Sequence, residues 1–221
     1  MTLFDLVRPF AAVTAVAALC APSAVHAGRP MAADDAVILD EASCELQSAL
    51  DRLGWYAMPA CGVGGWELGA GALRQQQHGA LLLQAKTLLR PLQTDGWGVA
   101  LVLSAQGGAD RGAGVNLPLT ASLWRDALLV HANAGAQRAG TGGGVMGTWA
   151  LGAELALGAR SAVTMEAYGS GTQAAKRYAR LGARHTLLPG RLEVDIAYTR
   201  GIDAAASGVV VGMTVSGWSL R

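Results

Sequence analysis

The sequence predicts an all-β protein: a closed antiparallel transmembrane β-barrel of about ten strands, or about twelve if an N-terminal hairpin joins the sheet. Three observations carry this expectation. Hydrophobic residues make up 52% of the 221 positions and charged residues only 15%. With a mean hydropathy of +0.31, that balance is too apolar for an ordinary soluble domain. No internal stretch reaches the roughly 18 uncharged apolar residues that a spanning helix needs. From Trp66 onward, apolar and polar residues instead alternate in segments of about ten, as when one residue faces lipid and the next faces inward.

The first element is a secretory signal over residues 1–27. Arg8 stands in a short n-region, Phe10 to Val25 is apolar and alanine-rich, and Val25-His26-Ala27 ends in the small-residue pattern of a cleavage site. A lipidation signal would need a small residue before Cys20, where Leu19 stands. Residues 28–63 follow as an N-terminal leader, its first part, 28–40, expected to be mobile because it carries few turn or strand signals. Cys44 and Cys61 both lie in the exported part, where an oxidising periplasm favours a disulfide between them. Their midpoint at Arg52-Leu53-Gly54 would set them opposite each other across a hairpin. Equally, Glu41 to Leu53 could form an amphipathic helix with Leu46, Leu50 and Leu53 on one face. Loss of the bridge is expected to loosen this segment more than the barrel.

The barrel is expected over 64–221, with strands near 65–74, 78–89, 96–105, 115–124, 127–137, 146–157, 161–170, 176–188, 190–200 and 208–220. A two-residue period sorts the side chains. Leu192, Val194, Ile196 and Tyr198 share one face, while Arg191, Glu193, Asp195 and Thr199 share the other. Trp149, Leu151, Ala153 and Leu155 likewise oppose Thr148, Gly152 and Glu154. Links at 90–96, 124–126, 158–160 and 189–190 are short, whereas those at 106–114, 138–145, 171–175 and 201–207 are mostly longer. That alternation sets short turns at one rim and longer loops at the other. Trp66, Trp97, Trp124 and Trp218 then fall near the short-turn rim and Trp149 and Tyr198 near the other, as an aromatic girdle at the headgroups would require. Trp124 and Trp218 sit on the less apolar alternation of their strands.

The inward alternation collects Glu67, Lys86, Glu154, Glu166, Arg180, Arg184, Glu193 and Asp195. A mid-strand Arg or Lys facing hydrocarbon costs about 2–4 kcal/mol, so these charges belong in the lumen. There, opposite charges on adjacent strands can fill a narrow bore as an internal network. Arg184 is expected near Glu193, and Arg180 within reach of Asp195 or its neighbours. A nucleophile needs a base within hydrogen-bond reach. His131 and Ser122 both face inward on neighbouring strands, but no Gly-x-Ser-x-Gly context accompanies them. No catalytic residue is therefore assigned. His185 falls outward near a rim. Gly142-Gly143-Gly144 and Gly62-Val63-Gly64-Gly65 lack the Lys-Ser or Lys-Thr pair of a phosphate cradle. Two isolated cysteines lack the further ligands of a zinc site, and no metal or cofactor is expected. A formal charge of +1 with scattered lysine and arginine gives no warrant for nucleic-acid binding.

The signal, alternating strands, turn asymmetry and aromatic rims together resemble the small outer-membrane β-barrel proteins of Gram-negative bacteria, over residues 64–221. The Cys44–Cys61 segment is loosely similar to exported proteobacterial proteins. The resemblance implies an outer-membrane location, with membrane lipid and the barrel-assembly machinery as partners. Such barrels usually end on an aromatic residue read by that machinery, whereas this chain ends Trp218-Ser219-Leu220-Arg221. The function expected is a non-enzymatic envelope barrel, structural or binding a small solute, with a charged and plugged lumen. One alternative is an outer-membrane lipid-modifying or proteolytic enzyme. A second is a soluble periplasmic lipocalin-like barrel, with apolar faces inward and Glu/Arg faces outward. Substrate and oligomeric state are not legible in the sequence.

Overall fold

The computed structural model describes residues 31–75, 78–108, 111–139, 144–171, 177–203 and 207–220. The expected signal peptide and Gly142-Gly143 lie outside them. The described chain forms twelve antiparallel strands: β1 (Ser43–Asp51), β2 (Gly54–Val63), β3 (Trp66–Gln75), β4 (His78–Arg90), β5 (Trp97–Gln106), β6 (Gly112–Leu123), β7 (Leu128–Ala139), β8 (Val145–Ala156), β9 (Ser161–Ser170), β10 (Arg177–Leu188), β11 (Leu192–Gly201) and β12 (Ser207–Ser219). Each pairs with its sequence neighbours, and β1 closes on β12, so no edge is left open.

The count is therefore twelve. Glu41 to Leu53 is not a helix: β1 and β2 pair around Arg52 and Leu53 and join the wall, so the barrel begins at Ser43 rather than at residue 64. Strand formation wins here because Leu46, Ser48 and Leu50 on one face oppose Glu45, Gln47 and Ala49 on the other, which suits a wall between lipid and a polar lumen. The register sets Cys44 opposite Cys61, and the two are joined as a disulfide.

Around the barrel the outward positions carry Leu81, Leu83, Leu117, Leu151, Met165, Leu181, Ile196 and Val211, all exposed. The inward positions carry Lys86, Thr120, His131, Glu154, Glu166, Arg184 and Asp195, all buried. This is the reverse of what the lipocalin alternative requires. Strands of nine to thirteen residues are long enough to cross a hydrocarbon core of about 30 Å when tilted.

Two prolines sit inside the wall. Paired positions lapse between Ala57 and Ala60 on β2, around Pro59, and between Asn116 and Leu119 on β6, around Pro118. A proline has no N–H to donate to the ladder.

The chain enters and leaves the barrel at one rim, called here the terminal rim. The difference in link length between the rims is small: the β4–β5 link (91–96) at the terminal rim is as long as the β9–β10 link (171–176) at the far rim. Trp66, Trp97, Trp124 and Trp218 all lie at the terminal rim, and Trp149 and Tyr198 lie toward the far one. The unfavourable alternation of Trp218 is resolved by a bulge. The register with β1 shifts between Cys44 and Glu45, where Gly217 takes φ 85°. One extra residue flips those beyond it. Trp218 therefore faces outward opposite Cys44. Trp124 lies outside its strand, in a turn whose three residues Trp124, Arg125 and Asp126 all have positive φ (54°, 57° and 65°).

Candidate functional site

The lumen holds the concentrated chemistry of the chain, and its main occupant is the chain itself. Residues 31–40, expected to be a mobile leader, lie inside the barrel as a strap. Asp35 and Ala36 are 5% and 0% exposed. An unpaired backbone N–H is costly away from water, and the strap spends its donors on wall side chains. Ala32 and Ala33 N–H both donate to the Glu166 carboxylate at 2.8 Å. Asp34 N–H donates to Asn133 Oδ1 at 2.8 Å, and Asn133 Nδ2 donates back to the Asp34 carbonyl at 3.1 Å. Further along, Ala36 N–H reaches Thr120 Oγ1 at 2.9 Å and Leu39 N–H reaches Glu67 Oε2 at 3.1 Å. Lys86 Nζ sits between Asp34 and Asp35 at 2.8 and 2.5 Å. The alternation of β3, β4, β6, β7 and β9 aims all these wall groups into one bore.

The charges placed in the lumen by their alternation sort into two groups. Glu67, Lys86 and Glu166 hold the strap. Arg184, on β10, bonds Glu154 on β8 and lies 3.3 Å from Glu193 on β11. Arg180 pairs with Glu166 at 3.3 Å and donates to Thr199 and the Tyr168 hydroxyl at 2.8 and 2.9 Å. Its carboxylate partner is thus its direct register neighbour on β9, the other side of β10 from the β10–β11 turn. Asp195 is buried opposite Arg184. The expected Arg184–Glu193 contact is present, with Glu154 as an additional partner.

Ser122 and His131 are not brought together. The register pairs His131 with Thr120, whose hydroxyl lies 3.0 Å from Nδ1. Ser122 is taken up at the terminal rim, donating to Asp126 and accepting from Asp95 N–H at 3.1 Å. His185 is outward and shares a 2.8 Å hydrogen bond with Ser161. Among the described residues no group of three or more His, Cys, Asp or Glu side chains is placed to hold a metal ion.

The strap lies against the β3–β9 wall, and a cavity of about 1640 Å³ lies beside it. Its part toward the far rim, a vestibule, is lined by Arg52, Arg111, Arg138 and Arg180 and by Gln47, Gln75, Gln84, Gln106 and Gln137. Tyr168 and Tyr178 stack in its wall, ring centroids 5.3 Å apart. Toward the terminal rim the cavity's lining beside the strap comes from β9–β12 and β1. Sequence reasoning missed the strap and the vestibule. The strap's partners are far away in the chain, up to 134 residues for Ala32 and Glu166, and it has no periodicity of its own. The one local signal is the acid pair Asp34-Asp35 ahead of a barrel whose inward Lys86 faces just one carboxylate, Glu67, across its own hairpin.

Residues 15–216 match one protein family, described as "Uncharacterised conserved protein UCP029691". No curated protein matches the chain. Among solved structures, the KdgM porin in complex with disordered oligogalacturonate aligns with a TM-score of 0.63 at 10% identity, covering 81% of this chain and 99% of that one. The NanC porin aligns at 0.57 with 8% identity, over 80% and 100% of the two chains. Omp33 of Acinetobacter baumannii aligns at 0.54 with 11% identity, over 80% and 99%. At such identities the likeness is one of fold: a closed barrel of the porin kind.

Proposed function

The chain belongs to the UCP029691 family, and we propose that it is a non-enzymatic barrel of the outer membrane whose lumen is closed at rest by its own N-terminal strap. The carrying observation is the Lys86 clamp on Asp34 and Asp35 inside the bore. The exposed apolar belt supports the location, since so large a contiguous apolar surface is not tolerated in water. Engagement of Ser122 and His131 in separate structural bonds supports the non-enzymatic reading. The vestibule is open to the far rim, where its amides and arginines offer hydrogen bonds to a small hydroxylated solute. The oligogalacturonate named with KdgM makes saccharide acids the first solutes to try there.

The test combines fractionation with electrophysiology. The protein should stay with outer membranes through carbonate extraction, migrate differently in mild SDS before and after boiling, and give near-zero mean conductance in planar bilayers. A detergent-free soluble monomer would end the membrane reading, and a steady conductance in the wild type would end the closed one.

A further inference from the structure

The strap uses only part of the polar wall it lies against. Its buried Ala33 and Ala36 donate to Glu166 and Thr120, while the inward side chains of His131, Glu154 and Thr164 on the same wall receive no hydrogen bond from it among the described residues. Polar groups that the cover leaves unmatched carry a burial cost that apolar ones would avoid. Two buried atoms of that wall, His131 Nε2 and Glu154 Oε2, have no hydrogen-bond partner among the described residues. That wall is suited to water.

The attachment is of a releasable kind as well. Five strap N–H groups donate to wall side chains that water could satisfy equally. The ionic hold is concentrated on one residue, Lys86. The space beside the strap, lined by Arg184 and Glu193, gives it room to move off the wall within the bore. The strap's link to β1 at Ser43 would return it to the same wall.

Resting on the closed-barrel reading above, we propose that the strap is a displaceable gate and that the barrel conducts small cations when it leaves. The bared bore below the vestibule carries Glu45, Glu67, Glu154, Glu166, Glu193 and Asp195 against Lys86, Arg184 and, at the terminal rim, Arg160 and Arg191. Such an excess of acid concentrates cations in a low-dielectric bore.

The test uses the full mature protein in planar bilayers with a KCl gradient and three variants: deletion of residues 31–38, Lys86→Met and Gly152→Leu. The last is steric, because a Cβ at Gly152 would lie 2.2 Å from the Met31 methyl and 3.4 Å from Ala33 Cβ. The deletion should raise mean current by at least about tenfold, with the point variants flickering between the closed and open levels. The reversal potential should lie on the cation side, and a synthetic peptide of residues 31–40, added on the side of the terminal rim, should block the deletion variant. A deletion variant that shows the heat-dependent SDS shift of a folded barrel yet carries no more current than the wild type overturns the gate and leaves the closed-barrel reading standing. If the deletion does not fold, Gly152→Leu decides, and wild-type current in that variant overturns the gate equally. An anion-side reversal potential overturns the cation assignment.

Discussion

Lys86 Nζ stands 2.5 Å from Asp35 Oδ1 inside the bore, joining the fourth strand of the wall to the segment that precedes the first. Both side chains are nearly fully buried, so neither charge can be removed alone without stranding the other. Breaking a buried pair from one side costs of order 3–5 kcal/mol, whereas removing both partners can cost little. Lys86→Met should therefore lower the urea midpoint of the SDS mobility shift, and Lys86→Met with Asp34→Asn and Asp35→Asn should recover part of it. A triple variant as weak as the single one would show that the lysine acts through something other than the two aspartates.

The Cys44–Cys61 bridge has a different consequence from the one its sequence position suggests. It joins β1 to β2 within the wall, and Cys44 also stands opposite Trp218 on the strand that closes the barrel. For a sequence separation of 17, the chain-entropy model gives a contribution of about 3 kcal/mol. Cys44→Ser with Cys61→Ser should lower the unfolding midpoint of the whole barrel. Unchanged barrel stability with a protease-sensitive strap would instead confine the bridge to a local role.

The strands were legible because a two-residue period is written into them: β9 was expected at 161–170 and occurs at Ser161–Ser170. β1 was ambiguous because Leu46, Leu50 and Leu53 fit a helix as well as a strand, and only pairing with both β2 and β12 decides. The inward charges were legible for the same reason as the strands. Their partners were legible only where a tight turn sets the register, as for Arg184 and Glu193. Arg180 with Glu166 depends on the β9–β10 register, which the longer 171–176 link leaves open, and Arg184 with Glu154 depends on a side chain reaching past β9. The strap is the extreme case: ten residues without periodicity, held by a wall dispersed over five strands.

The turn at Trp124, Arg125 and Asp126 stores backbone strain. Asp tolerates the left-handed region, but Trp and Arg do not, at a cost of about 1–2 kcal/mol per residue. The Arg125 side chain is exposed, and its N–H is used, donating to Asp95 Oδ1 at 2.7 Å. Arg125→Gly keeps that hydrogen bond and relieves the φ of 57°, so the unfolding midpoint should rise by the equivalent of about 1 kcal/mol. A fall in the midpoint would mean that the Arg125 side chain contributes more than its backbone costs.

At the far rim, Arg177 clasps Asp203 through Nε and Nη2, both at 2.7 Å. The hydrogen bond from Arg177 holds the Asp203 carboxyl below the usual carboxylate range. A carboxyl depressed on folding stabilises above its unfolded pKa and loses that contribution as pH falls through the folded one. Asp203→Asn should therefore speed amide exchange at Arg177 and Ile202 at neutral pH. The difference from wild type should vanish in acid below the carboxylate range. A difference that persists there would assign the effect to the loop rather than to the charge.

The last expectation concerns Arg184, which bonds buried Glu154 and lies 3.3 Å from the more exposed Glu193. The two carboxylates are unequal partners. Glu154 is 1% exposed and has no other cation within bonding distance among the described residues, whereas Glu193 also accepts from Thr186 at 3.2 Å. Arg184→Ala should then cost of order 3–5 kcal/mol, because it strands Glu154 in the wall. Glu193→Ala should cost well under half of that, since Arg184 keeps Glu154. Adding Glu154→Gln to Arg184→Ala should recover part of the loss, while adding Glu193→Ala should recover little. The urea midpoint of the four variants, read from the SDS mobility shift, measures both cycles. Equal recovery by the two carboxylate variants would mean that Arg184 is shared evenly, and the wall pair with Glu154 would lose its standing as the principal bond.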